Sequence, residues 1–246
     1  MRLDIGAAVN EAIAIWRRDR QVVVAVAGIF FFLPNLMLSL LLTMSKAPVI
    51  ADPATADDSA LLASIQAYLI DNAPWLLLQA LAELVGIAVL LALLLDPARP
   101  TVADALRSVA RRLPVLVAAS LLVFLAKLGG LLLFLLPALY VIGRVFVVIP
   151  VLVAEPQRRF GDAMGRALAL TKGHVLQLLG LSALLYFGAQ LVALLLSSTA
   201  GAVSRSGGNP VTMAMLATAI AAVGAALSTA FALVRATVYR RLASKG

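Results

Sequence analysis

Cysteine is absent from the chain. Disulfides, thiolate nucleophiles and cysteine-ligated metals are therefore excluded, although no compartment follows from that. Histidine occurs once, as His174, so neither a histidine-rich metal site nor a two-histidine catalytic pair can form. A GxSxG elbow, a Walker loop and an HExxH pair are also missing. These absences point away from an enzyme, and no cofactor is expected. Charge is scarce too: 13% of the 246 residues are charged, while 63% are hydrophobic. A soluble domain is about a quarter charged and about half apolar. So apolar a chain cannot cover its own surface in water, and the excess must face a bilayer.

The charge that is present is lopsided, at a formal net +8. In a soluble protein this balance would point to nucleic acid. Here the cations sit in short clusters between apolar blocks, so no nucleic-acid partner is expected. The pattern is that of membrane topology and of contact with anionic lipid. The start does not read as a cleavable signal peptide, because amphipathic sequence precedes an apolar block long enough to span.

A span needs about 20 residues. Six apolar blocks have that length: residues 22–44, 75–95, two within 114–154, 175–196 and 211–238. Pro34 predicts a kink in the first. The turn between the third and fourth falls between Gly129 and Pro137. The sixth is rich in alanine, which suits close helix packing and permits association with a second copy or another membrane protein.

Lys and Arg concentrate in four segments: Arg2 to Arg20, Arg99 to Arg112, Arg158 to Lys172, and Arg240 to Lys245. The other side has Lys46 and Arg205 beside Asp52, Asp57, Asp58 and Asp71. The positive-inside rule then puts both termini in the cytoplasm of a bacterial cell, with the spans in the inner membrane. The acidic segment 47–59 and the segment 204–210 read as external loops.

The first three basic segments read as amphipathic interfacial helices. Their apolar stripes are Ile5, Val9, Ala12, Ile13 and Trp16; then Val102, Ala105, Leu106, Val109 and Leu113; then Phe160, Met164, Ala167, Leu168 and Thr171. Thr101 and Asp104 form a capping box for the second. Residues 6–18 align without gaps with residues 161–173, and residues 103–112 fit more loosely. The expected fold is thus an all-α polytopic transmembrane bundle, a single integral domain over residues 1–246. It has six spans and three basic interfacial helices. These form a threefold helix-plus-hairpin repeat over residues 1–95, 96–154 and 155–246, against the plainer reading of chance similarity between Ala-rich helices.

Ionisable groups inside spans are costly, at about 2.5–3.5 kcal/mol or more for one at the centre of a span. Glu83, Lys127 and Arg144 lie within the apolar blocks, roughly 15–20 Å from the cytoplasmic ends at 1.5 Å per residue. Glu83 is expected to pair with Arg144 or with Lys127. Such a pair either fixes helix register or forms a net positive site for an anionic group, unless Lys127 snorkels to the outer interface. Arg17, Arg18, Arg107, Arg111, Arg112, Arg158, Arg159, Arg166, Lys172 and His174 are candidate contacts to anionic head groups. His174 reads as an interfacial side chain or as a proton-handling group. Gln79, Gln177 and Gln190 read as interhelical hydrogen-bonding groups.

Residues 137–181, PALYVIGRVFVVIPVLVAEPQRRFGDAMGRALALTKGHVLQLLGL, resemble the membrane domain of bacterial glycerophosphoryl diester phosphodiesterases and related stand-alone inner-membrane proteins. The matching features are Pro137, Arg144, Pro150, Glu155 and the ALALTKG run from Ala167 to Gly173; the opening LDIGAAVNEAIAIWRRDR is also similar. The soluble phosphodiesterase domain and its metal ligands have no counterpart, so hydrolase activity is not implied. What the resemblance implies is a stand-alone membrane module tied to phospholipid or envelope homeostasis. The expected function is non-enzymatic binding of anionic phospholipid. The alternative is a small transporter or lipid-translocating protein working through Glu83, Lys127 and Arg144.

Overall fold

The computed structural model describes residues 4–44, 58–133, 135–205 and 209–244. Most of the expected acidic loop, with Lys46, lies outside these residues, as do residues 206–208, Arg2 and Lys245. Among the described residues all regular structure is helical. The elements are α1 (Ile5–Ala27), a π-helical turn (Gly28–Phe32), α2 (Leu33–Met44), α3 (Asp58–Leu95), α4 (Val102–Leu133), α5 (Leu135–Arg144), α6 (Val148–Ala154), α7 (Phe160–Thr171), α8 (Val175–Arg205) and α9 (Pro210–Ala243).

Five stretches among them are long and apolar enough to cross a membrane: Ile5–Leu41, Leu62–Leu95, Val102–Gly130, Val175–Thr199 and Pro210–Ala243. The protein is embedded in a membrane. Large apolar side chains face outward, as a lipid solvent allows: Leu176 is 83% exposed and Leu184 73%. The block expected to form a fourth span consists of two short helices, α5 and α6. Pro150 explains the break. It has no N–H for the Phe146 carbonyl one turn earlier, and its ring crowds that carbonyl. The helix opens at 145–147, where Val147 leaves helical geometry at φ −101° and ψ 9°.

Prolines elsewhere act more gently. Pro74 and Pro114 lie inside α3 and α4 without ending them, because packed neighbours absorb one lost hydrogen bond in a membrane helix. The second amphipathic segment and the third span are thus one continuous helix. Pro34 follows the π-helical turn, and Asn35 Nδ2 donates to the Phe31 carbonyl at 2.7 Å. Gln79 Nε2 then donates to Asn35 Oδ1 at 2.6 Å, tying α3 to α2 as expected of an interhelical glutamine. α1 kinks at Asp19 (φ −110°, ψ 20°), between the half that carries Glu11, Arg17 and Arg18 and the more apolar half that follows. Thr101 caps α4: Asp104 N donates to Thr101 Oγ1 at 3.2 Å, and that hydroxyl donates to Asp104 Oδ2 at 2.7 Å. α7 ends in a type II turn, with Lys172 at φ −62°, ψ 126° and Gly173 at φ 85°, a position that favours glycine.

The buried core sits towards one end of the bundle. Val89, Leu90 and Leu91 near the end of α3, Val147, Val148 and Val151 at α6, and Ala232, Ala236 and Val238 near the end of α9 are almost wholly enclosed. Ala8, Ala12 and Ile15 of α1, Ala105 and Val109 of α4, and Ala163, Ala167 and Leu170 of α7 pack against this cluster. Ile13 and Trp16, on the expected apolar stripe of the first interfacial helix, point away from the rest of the protein, 44% and 40% exposed.

One close crossing can be tested. A Cβ on Gly86 would lie 2.5 Å from Phe31 Cε1 and 2.6 Å from Phe30 Cβ, whereas one on Gly180 would meet nothing within 4 Å. Gly86→Ala is expected to cost about 1–3 kcal/mol through overpacking, seen as a lower unfolding temperature in detergent. Gly180→Ala should not lower it. Equal behaviour of the two would contradict the contact.

Candidate functional site

The polar interior is organised by α9. Ser228 Oγ donates to Glu83 Oε1 of α3 at 2.7 Å. Two turns further along α9, Arg235 sits between two aromatic faces, 5.6 Å from the Phe146 ring centroid and 5.8 Å from that of Phe231. Its Nε is buried and has no hydrogen-bond partner among the described residues. Glu83 and Lys127 both lie within electrostatic reach of Arg235. No ion pair joins any of these groups among the described residues. The interior therefore holds two cations and one carboxylate, and the carboxylate's hydrogen bond comes from a serine.

Arg144 does not belong to this group, contrary to the expected Glu83–Arg144 pair. Its guanidinium donates to the Leu168 carbonyl at 2.7 Å and reaches Thr171 Oγ1 at 3.3 Å. The break after α5 places Arg144 on a helix end, where it caps the last turn of α7. A cation is favoured there by the exposed carbonyls and the helix dipole. Glu83 and Lys127 do share one region, and Arg235 takes the place expected of Arg144. Arg235 is hidden in the sequence within the alanine-rich sixth block. Its signal is the same as for the other three, a lone charge in an apolar run.

The other candidate residues gather at the end of the bundle that holds the core. Arg241 Nε donates to Glu11 Oε2 at 2.9 Å and its NH2 to the Ala7 carbonyl at 3.1 Å, and Arg240 bonds the Leu94 carbonyl. Arg112 donates to the Leu152 carbonyl at 3.3 Å and to that of Pro156. Glu155 accepts from Tyr239 at 2.9 Å, pairs with Arg158 and lies 3.8 Å from Arg166. These bonds bring the start of α1, the end of α3, the start of α4, the 155–172 segment and the end of α9 together.

Arg18 forks onto Asp19 at 2.7–3.2 Å, and Arg107 lies 3.8 Å from Asp104. Arg17, Arg20, Arg111, Arg159 and Lys172 are exposed, and no ion pair or hydrogen bond engages their side chains among the described residues. His174 Nδ1 lies 3.1 Å from Gln177 Oε1, a local contact at the start of α8. No group of three or more His, Asp or Glu that could hold a metal occurs among the described residues.

No family model, curated protein or solved structure matches the chain.

The electrostatic link in the interior has a definite sign. Glu83→Ala removes the carboxylate within electrostatic reach of Arg235 and the acceptor of the Ser228 hydroxyl, and is expected to cost about 1–3 kcal/mol, measured by thermal unfolding in detergent. Adding Arg235→Met should restore part of that loss, because the cation most in need of Glu83 is then gone. If the two losses simply add, Glu83 does not balance Arg235.

Proposed function

We propose that this chain is a non-enzymatic integral module of a bacterial inner membrane that binds anionic phospholipid at its basic end. One observation carries the reading. Arg17, Arg20, Arg111, Arg159 and Lys172 are exposed cations, unengaged by other described side chains, on elements that converge at that end. Exposed cations beside outward apolar groups such as Ile13 and Trp16 suit a surface in contact with acidic head groups.

In this reading the chain crosses the membrane six times and both termini are cytoplasmic. Parity supports it. The end of α9 is bonded to the start of α1 by Arg241, which calls for an even number of crossings. The α5–α6 pair is then the fourth crossing, about 30 Å long over its 20 residues at 1.5 Å each. A helix-plus-hairpin repeat is supported by burial. Ala8, Ala12 and Ile15 of α1 and Ala163, Ala167 and Leu170 of α7 are buried, and they hold equivalent places in the gapless alignment. The resemblance of residues 137–181 to the membrane domain of glycerophosphoryl diester phosphodiesterases motivates a role of the same kind. The related role would be envelope or lipid homeostasis, with no hydrolase chemistry.

A second reading, movement of lipid or solute through the bundle, is favoured by the unpartnered Nε of Arg235 beside Glu83 and Lys127. Fluorescent-lipid flipping by reconstituted protein, abolished in Arg235→Met, would select it over simple binding.

Trp16 is the reporter for the first reading. In a Trp75→Phe background, Trp16 is the only tryptophan left of the two. Brominated phosphatidylglycerol should quench it more strongly than brominated phosphatidylcholine. The preference should fall towards unity in Arg17→Gln/Arg20→Gln and at high salt, since each basic group near an anionic surface contributes about 1 kcal/mol. Equal quenching by both lipids in the unmodified basic end would refute the proposal.

A further inference from the structure

At the basic end, between the kink of α1, the end of α3 and the α3–α4 loop, lies a cavity of about 680 Å³. That is within the size range of small-molecule sites, about 300–1,000 Å³. Its lining is divided. Arg18, Asp19, Asp96, Arg99 and Arg240 form the charged part. Val22 of α1, Leu93 and Leu95 of α3 and Val102 of α4 form an accessible apolar wall. Three arginines against two aspartates leave one net positive charge.

All three cations line the cavity, and Asp19 lies within electrostatic reach of each. They are not equally engaged. Arg18 is forked on Asp19, and Arg240 is held by the Leu94 carbonyl with Glu11 3.9 Å away. The exposed Arg99 side chain has no hydrogen bond or ion pair among the described residues.

The backbone at Arg99 is unusual. Among the described residues it is the only non-glycine with positive φ, at 47°, a conformation that disfavours side chains with a Cβ. It also precedes Pro100, which restricts it further. Asp96 holds the loop in place: Ala98 N donates to Asp96 Oδ1 at 2.8 Å and Arg99 N to the Asp96 carbonyl at 3.2 Å. Glycine would suit this backbone better. An arginine held there at a conformational cost, on the edge of a cavity, is a placement that packing alone does not require.

We propose that this cavity binds one phospholipid with a singly anionic phosphodiester head group. The phosphate meets Arg99, with Arg18 and Arg240 beside it, and part of an acyl chain lies along Val22, Leu93, Leu95 and Val102. The single net charge matches one phosphodiester, and the apolar wall distinguishes a lipid from a free phosphate. This inference rests on the lipid-binding reading above and narrows it from a general surface to one site.

Native mass spectrometry of the intact chain in detergent tests it, with phosphatidylglycerol, phosphatidylcholine or inorganic phosphate added. The unmodified protein should retain one phosphatidylglycerol in preference to phosphatidylcholine, and inorganic phosphate should not displace it. Arg99→Gly should weaken retention about tenfold, the effect of one charge-assisted hydrogen bond. It should not lower the unfolding temperature, because glycine relieves the positive φ. Asp19→Asn, which frees Arg18 and raises the cavity's charge, should tighten retention. Gly180→Ala, outside the cavity lining, should leave the single bound lipid in place.

Retention unaffected by Arg99→Gly, or equal retention of both lipids, would overturn the proposal. Displacement of the lipid by inorganic phosphate at similar concentration would assign the site to a soluble anion instead. If the cavity variants have no effect while Trp16 still prefers the anionic lipid, the site falls and the broader reading stands. If Trp16 shows no preference either, both fall.

Discussion

The structure depends on arginine side chains that reach from one element to the orphaned carbonyls of another. A helix ends with up to four C=O groups that have no internal partner, and packing against a neighbouring element shuts out the water that would otherwise satisfy them. Arg240 bonds the Leu94 carbonyl in the last turn of α3. Arg112 bonds the Leu152 carbonyl in α6, and Arg144 bonds the Leu168 carbonyl in α7. Each bond satisfies an acceptor, places a cation at the negative end of a helix dipole and fixes one element against another. Arg241, on Glu11 and the Ala7 carbonyl, closes the chain's last helix onto its first. The tight core under these clamps, from Leu90 to Val238, belongs to the same end.

This division of labour shapes what the basic end can do. Arginines spent on carbonyls, or on Glu11 and Glu155, are structural. Those left over, together with Lys172, are the ones available to an outside anion. Residue type does not separate the two sets. Arg111 and Arg112 are adjacent, yet Arg112 reaches into the fold and Arg111 faces out. The proposed preference for anionic lipid is therefore a property of particular side chains rather than of net charge.

Much of this was legible in the sequence because bilayer thickness and the helical rise constrain apolar runs strongly. Five of the expected blocks are helices long enough to cross. The Thr101–Asp104 box caps α4, and the α4–α5 boundary falls inside the window from Gly129 to Pro137. What the sequence hid depends on three-dimensional placement. Pro150 divides its block into two short helices, and the break turns Arg144 onto α7 rather than towards Glu83. Arg235 is inconspicuous in the sequence because a single cation barely lowers the hydropathy of a long alanine-rich run. Spacing puts Ile13 and Trp16 on one stripe with Ala12, but it does not say what covers the stripe, because in a membrane an apolar face is as well satisfied by lipid as by protein. The small residues Ala8, Ala12, Ala163 and Ala167 are what the helices press together.

The central claim is that the basic segments form one surface on the cytoplasmic side, reached by an even number of crossings. The absence of native cysteine makes single-cysteine labelling a clean measurement. Ala98→Cys, Arg159→Cys and Asn209→Cys would be exposed to a membrane-impermeant maleimide in spheroplasts and in inverted vesicles. The account predicts that Ala98→Cys and Arg159→Cys react only in inverted vesicles and Asn209→Cys only in spheroplasts. Labelling of Ala98→Cys and Arg159→Cys from opposite sides would contradict it, because α5 and α6 would then not return the chain across the membrane.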